Sequence, residues 1–138
     1  MHPSDLSLTA VLEYGIRHLK VRHLVLCGHT SCGGAAAALA DTTLGVLDPW
    51  LLPLRLLAKE KHAELEACKD ASQKAALLVE LNVRKGIETL MAMFCVREAV
   101  ASGQIDVHGL VYDISTGKLR EIDCASEIKS AVGKPPGK

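Results

Sequence analysis

The stretch Val25–Gly34, VLCGHTSCGG, decides the fold. The apolar run it belongs to, VRHLVLCG (21–28), is too short for a helix of its own and rich in β-branched and aliphatic residues. Leu24–Cys27 is therefore expected as a buried strand stopping at Gly28. His29 and Cys32 follow on a loop, and GGAAAALA (33–40) is small and helix-prone, which places a helix start near Cys32. Strand, donor-bearing loop and helix, in that order, is how α/β folds build sites at the C-terminal ends of parallel strands.

Upstream, DLSLTAVLEYGIRHLK (5–20) carries Leu8, Val11, Leu12, Gly15 and Leu19 on one helical stripe. Asp5 or Ser7 is placed to cap it, and the basic run Arg17–Lys20 suits its negative end. Downstream, Asp48-Pro49 predicts a helix start with Asp48 as cap, followed by a helix through residues 50–68 bent near Pro53. Residues 72–102 read as further helix, capped by Ser72, broken near Met91–Cys95 and ended by Gly103. IDVHGLVYDISTGKLREI (105–122) has two alternating patterns around Ser-Thr-Gly, the signature of a β-hairpin. The expected fold is α/β, a parallel sheet flanked by helices with a C-terminal antiparallel β-hairpin. Residues 1–132 are expected to form a single domain and residues 133–138, GKPPGK, a flexible tail.

Composition narrows the function classes. In 138 residues, 49% are hydrophobic but only 3% aromatic, so the core must be aliphatic. Sixteen basic and sixteen acidic residues cancel without a block of either sign, so neither nucleic acid nor a membrane surface is an expected partner. No apolar run approaches the roughly 20 residues of a membrane span. The N-terminus lacks the pattern of a signal peptide. The five cysteines (27, 32, 68, 95 and 124) are odd in number and scattered, which suits a reducing, cytoplasmic setting.

His29 and Cys32 are standard zinc-ligand types at a spacing that lets both point into one crevice. Zinc needs three or four protein donors, however, so on spacing alone a polar loop with a packed cysteine is the plainer account. Cys27, Cys68 and Cys95 read as small core residues, and Cys124 has no metal-ligand neighbour in sequence. His18, His23 and His62 read as solvated, and His108 as a structural hydrogen-bonding histidine. No G-x-S-x-G, phosphate-loop or G-x-G-x-x-G pattern occurs. Cys32 as a nucleophile with His29 as base is conceivable, without support elsewhere in the chain.

Taken together, LSLTAVLEYGIRHLKV (6–21), HLVLCGHTSCGG (23–34), DPWL (48–51), KHAEL (61–65), LNVRKGIETL (81–90) and VHGLVYDISTGKLREI (107–122) resemble, in order, the β-class carbonic anhydrases. The resemblance implies a β-carbonic-anhydrase-like fold and zinc-dependent, reversible hydration of carbon dioxide to bicarbonate. It makes His29 and Cys32 the histidine and second cysteine ligands of zinc, with Gly33 and Gly34 offering backbone N–H groups to substrate. It also implies a dimer or larger homo-oligomer.

One departure bears on all of this. The family carries an earlier Cys-x-Asp-x-Arg motif, which supplies the other cysteine ligand and an Asp–Arg pair, and no such motif occurs in this sequence. The chain is therefore expected to be an N-terminally truncated member lacking the family's N-terminal strands. Its Leu24–Cys27 strand would then lie at a sheet edge, and its activity is expected to be weak or absent. Two alternatives stand beside this reading. One is a non-catalytic remnant that pairs with a full-length relative. The other is a hydrolase of carbonyl sulfide or carbon disulfide built on the same fold.

Overall fold

The computed structural model describes residues 5–132, so the tail expected at 133–138 lies outside the described residues. Helix α1 (Leu6–Arg17) begins where Asp5 accepts the N–H groups of Ser7 and Leu8, which settles the cap in favour of Asp5. Its buried residues are Leu12 and Ile16. Val11 and Leu19, expected on the same stripe, are exposed, because the inward face centres on Leu12 and Ile16 and the helix ends before Leu19.

Strand β1 (His23–His29) runs past Gly28, where it was expected to stop, and no residue in it is buried. Its residues alternate between exposed and half-buried, the pattern of a strand covered on one face. The expectation of a buried strand, and of Cys27 as a core residue, is thus corrected: Cys27 lies on the exposed face. Helix α2 (Gly33–Leu39) follows with Cys32 at its cap position, as expected.

Helix α3 (Leu47–Glu60) starts before Asp48, not at it, with Val46 at the cap position. The Asp48 carboxylate turns back instead to accept the Leu44 N–H, at 3.0 and 3.2 Å to its two oxygens, and pairs with Arg55 at 3.0 Å. Pro53 stays inside α3, and the helical run expected through Cys68 breaks at Lys61 before a short α4 (His62–Glu66). Helix α5 (Ala71–Ala92) is capped by Asp70, not Ser72: Asp70 accepts the Gln73 N–H at 2.8 Å while the Gln73 side chain accepts the Lys69 N–H at 3.1 Å. The expected break falls at Met93, and α6 (Phe94–Ala101) ends at Ser102 before Gly103, whose φ of 72° suits glycine.

Strands β2 (Asp106–Asp113) and β3 (Lys118–Ile122) form the expected hairpin, with Gly117 at φ 70° in the turn. A final helix, α7 (Ala125–Val132), was not anticipated. Its start is marked by Asp123, which accepts the Ala125 N–H at 3.0 Å.

The sheet order is β1-β2-β3. The Asp106 N–H donates to the Arg22 carbonyl and the Thr30 N–H to the Tyr112 carbonyl. These bonds advance in the same direction along both strands, so β1 and β2 are parallel, whereas β3 returns antiparallel through a tight turn. Mixed sheet and surrounding helices make this an α/β protein.

The chain divides into two compact units. Unit 1 comprises Met1–Cys27, Val83–Leu110 and Glu121–Lys138. Within it α1 packs on α6 and α6 on α7. The second half of α5 buries Val83, Ile87, Leu90 and Met91 at helical spacing. Unit 2 comprises Gly28–Asn82 and Val111–Arg120; here α2 packs on α3, and Ala35, Leu51, Leu57 and Leu78 are among its buried residues. Buried side chains among the described residues are all apolar, and Tyr14, Trp50, Phe94 and Tyr112 are all exposed, so the core is aliphatic as the composition requires.

Candidate functional site

His29 closes β1 and Cys32 caps α2, so strand end and helix start set the two donors on either side of a two-residue turn. Ser31 within that turn has φ 54°, a left-handed conformation that costs a non-glycine residue about 1–2 kcal/mol. His29 is exposed and Cys32 half-buried. The His29 ring places Nδ1 2.9 Å from the Thr30 carbonyl oxygen. With Nδ1–H donating there, Nε2 keeps its lone pair, which is the arrangement metal-binding histidines adopt.

Thr30 anchors this turn within unit 2. Besides its backbone bond to Tyr112, its hydroxyl donates to Asp113 at 3.3 Å and accepts the Ile114 N–H at 3.1 Å. Asp113 in turn accepts the Ser115 hydroxyl at 2.7 Å, the Thr116 hydroxyl at 2.7 Å and the Ser115 N–H at 2.9 Å. The Ser115 hydroxyl first, then that of Thr116, hold the Asp113 pKa down at about 2. A carboxylate with a lowered folded pKa stabilises the fold above its unfolded value of about 3.9, and that contribution fades as pH falls toward 2. Asp113→Ala is accordingly expected to lower Tm at pH 7, with the gap from wild type closing between about pH 4 and pH 2. A gap of constant size in thermal melts across that range would contradict the assignment.

Gly33 and Gly34 open α2, in the first helical turn, whose N–H groups have no acceptor within the helix. A Cβ on Gly33 would meet nothing within 4 Å. At Gly34 it would come within 3.7 Å of both the Cys32 Sγ and the Trp50 ring. Trp50 and the Thr30–Asp113 tie are the parts of this neighbourhood that sequence reasoning missed. Trp50 entered only as part of the predicted helix and of the DPWL stretch, and Asp113 only as part of the hairpin pattern.

The fit to zinc is testable on the donor set. Among the described residues, no three His, Cys, Asp or Glu side chains are grouped so as to hold a metal ion. Cys95 and Cys124 are buried, and burial pushes both thiols up from their ordinary pKa. Cys68 directs its Sγ to the Glu64 carbonyl at 3.8 Å. His29 and Cys32 therefore do not fit a zinc ion by themselves, and no catalytic step follows from these two donors alone.

Fold and site define an α/β protein with a strand-end loop that presents one imidazole and one thiol. A carbonic anhydrase family model matches residues 1–119. The chain is 38% identical over 120 residues to a carbonic anhydrase of Emericella nidulans, covering 86% of this chain and 53% of that one. Among solved structures, the β-carbonic anhydrase CafA of Aspergillus fumigatus matches with a TM-score of 0.87 at 45% identity, over 96% of this chain and 64% of its own. One of two tetrameric β-carbonic anhydrases from Sordaria macrospora matches with a TM-score of 0.85 at 46% identity, over 90% of this chain and 64% of its own. The chain belongs to the β-class carbonic anhydrase family. It spans between about half and two thirds of the length of these relatives.

Proposed function

We propose that this chain carries the histidine-and-cysteine half of a zinc-dependent carbonic anhydrase centre, and that the 138-residue polypeptide alone hydrates carbon dioxide weakly or not at all. One observation carries the reading: His29 and Cys32 flank a tied-down strand-end turn, with no third donor grouped with them among the described residues. In this reading His29 Nε2 and Cys32 Sγ are the two protein ligands. The N–H groups of Gly33 and Gly34 face carbon dioxide or bicarbonate, and the remaining cysteine and the Asp–Arg pair come from elsewhere.

The edge of the sheet supports association as part of the same reading. Among the described residues the order β1-β2-β3 puts β1 at an end of the sheet, and a strand at a sheet edge is a template for another chain. A homo-oligomer, or pairing with a full-length relative, would cover it, and the Sordaria macrospora relatives are tetramers.

The test is stopped-flow hydration of carbon dioxide by zinc-treated chain, beside a chimera that adds upstream a segment carrying the family's Cys-x-Asp-x-Arg motif. Turnover near the uncatalysed background for the chain, and a gain of several powers of ten for the chimera that His29→Ala removes, is the expected result. Fast turnover by the chain alone would overturn the half-centre, and an active chimera indifferent to His29→Ala would overturn the ligand assignment.

A further inference from the structure

We propose that His23 and His108 form a metal site, a bidentate seat for a divalent transition-metal ion such as nickel, independent of His29 and Cys32. Three residues of unit 1 on adjacent strands build it: His23 lies on β1, His108 on β2 and Glu121 on β3. His23 Nδ1 faces His108 Nε2 at 3.1 Å, and His108 Nδ1 faces a Glu121 carboxylate oxygen at 3.0 Å. Metal–imidazole bonds of about 2.0–2.1 Å put two ring nitrogens about 2.9 Å apart at a right angle and about 3.4 Å apart at the tetrahedral angle. The observed separation lies between these two values, so the nitrogens already stand at the spacing of neighbouring ligands.

Glu121 completes the argument. As an ionised carboxylate it only accepts, so His108 donates Nδ1–H to it and turns the Nε2 lone pair toward His23. A carboxylate on the far nitrogen is the support that orients metal-binding histidines and makes the near nitrogen more basic. Without metal, His23 fills the gap by donating its own Nδ1–H to His108 Nε2. To bind metal, neutral His23 carries its proton on Nε2 instead, a change of tautomer that leaves net charge unchanged. Each ring must also turn about its Cβ–Cγ bond to bring the two lone pairs onto one point. That torsion is soft, and the rings are tilted by 43° with His23 exposed and the His108 side chain 31% exposed. Water supplies the other ligands, so the site is weaker than a three- or four-donor centre and follows the usual divalent series, nickel ahead of cobalt.

The experiment is isothermal titration of the reduced, metal-free chain with nickel chloride, chosen because it does not oxidise the thiols. Wild type is expected to bind nickel at this site, and His23→Gln or His108→Gln to weaken that binding tenfold or more. Glu121→Gln is expected to weaken it by about tenfold, whereas Cys32→Ser with His29→Ala leaves it in place. Ring-nitrogen NMR of the wild type supplies a readout that needs no variant to fold: nickel should perturb His23 Nδ1 and His108 Nε2 first. Unchanged affinity in both single histidine variants, or ring signals of His23 and His108 untouched by saturating nickel, would overturn the proposal. Neither result bears on the role of His29 and Cys32, which is read separately from the chimera.

Discussion

Metal-free chain that is given zinc and then desalted is expected to retain well under one zinc per chain. Structural zinc sites bind with about 10–16 kcal/mol spread over four protein donors, or roughly 2.5–4 kcal/mol per donor. Each donor lost therefore weakens binding by roughly two to three powers of ten. His29 and Cys32 stand as a pair without a third donor grouped with them among the described residues. A site so weakened exchanges its metal during a desalting step, and so does the two-histidine seat at His23 and His108. Elemental analysis of the desalted protein checks the expectation. Retention of one equivalent, lost again in Cys27→Ser or Cys124→Ser, would show that another thiol completes the centre and would reject the half-site reading.

Truncation of Ile87 to alanine is expected to destabilise the fold by about 2–5 kcal/mol. Ile87 has no exposed surface, and Val83, Leu90 and Met91 on the same face of α5 are also buried. The loss has two parts: apolar surface no longer removed from water, and a cavity that the surrounding aliphatic side chains fill only partly. Against a typical total stability of about 5–15 kcal/mol, the change lowers Tm by roughly 10 °C or more. Ile87→Val, which removes one methyl group, is expected to cost only about 0.5–1.5 kcal/mol. Thermal and urea unfolding of both variants check this pair. Equal, small losses in the two would show that Ile87 lies in a region able to collapse around the missing side chain.

The sequence made the helices legible wherever a buried stripe ran for several turns, because 3.6-residue periodicity survives local exceptions. The break at Met93 and the stop before Gly103 were legible for the same reason, as interruptions of a strong pattern. Burial was harder to read. The run from Leu24 to Cys27 looks like an interior strand, yet β1 lies at an edge and alternates in exposure, since apolar content reports what a strand could bury and not what covers it. Caps were harder to place, as Asp48 and Ser72 show: α3 starts at Leu47 with no side-chain cap, and at α5 it is Asp70, two residues before Ser72, that accepts the free N–H of Gln73. Helix α7 was missed although Ile128, Ala131 and Val132 fall at helical spacing, because a stripe of little more than two turns stands out poorly beside a hairpin. For the candidate site, His29 and Cys32 could be singled out because they are close in sequence. The line from His23 through His108 to Glu121 could not, because it exists only once the pairing of three strands is known.

The division of the chain has a consequence for how the protein is made. Unit 2 takes most of its substance from one unbroken run, Gly28–Asn82, so α2 and α3 can meet soon after they leave the ribosome. Unit 1 is different: it draws on three separated segments, so its buried residues Leu12 and Ile16 precede Ile122 and Cys124, also buried, by most of the sequence. Synthesis proceeds from the N-terminus at about 5–20 residues per second. Leu12 and Ile16 must therefore wait in the nascent chain, uncovered, for several seconds until their partners on α6 are made. Helix α1 is thus made well before the helix that covers its apolar face.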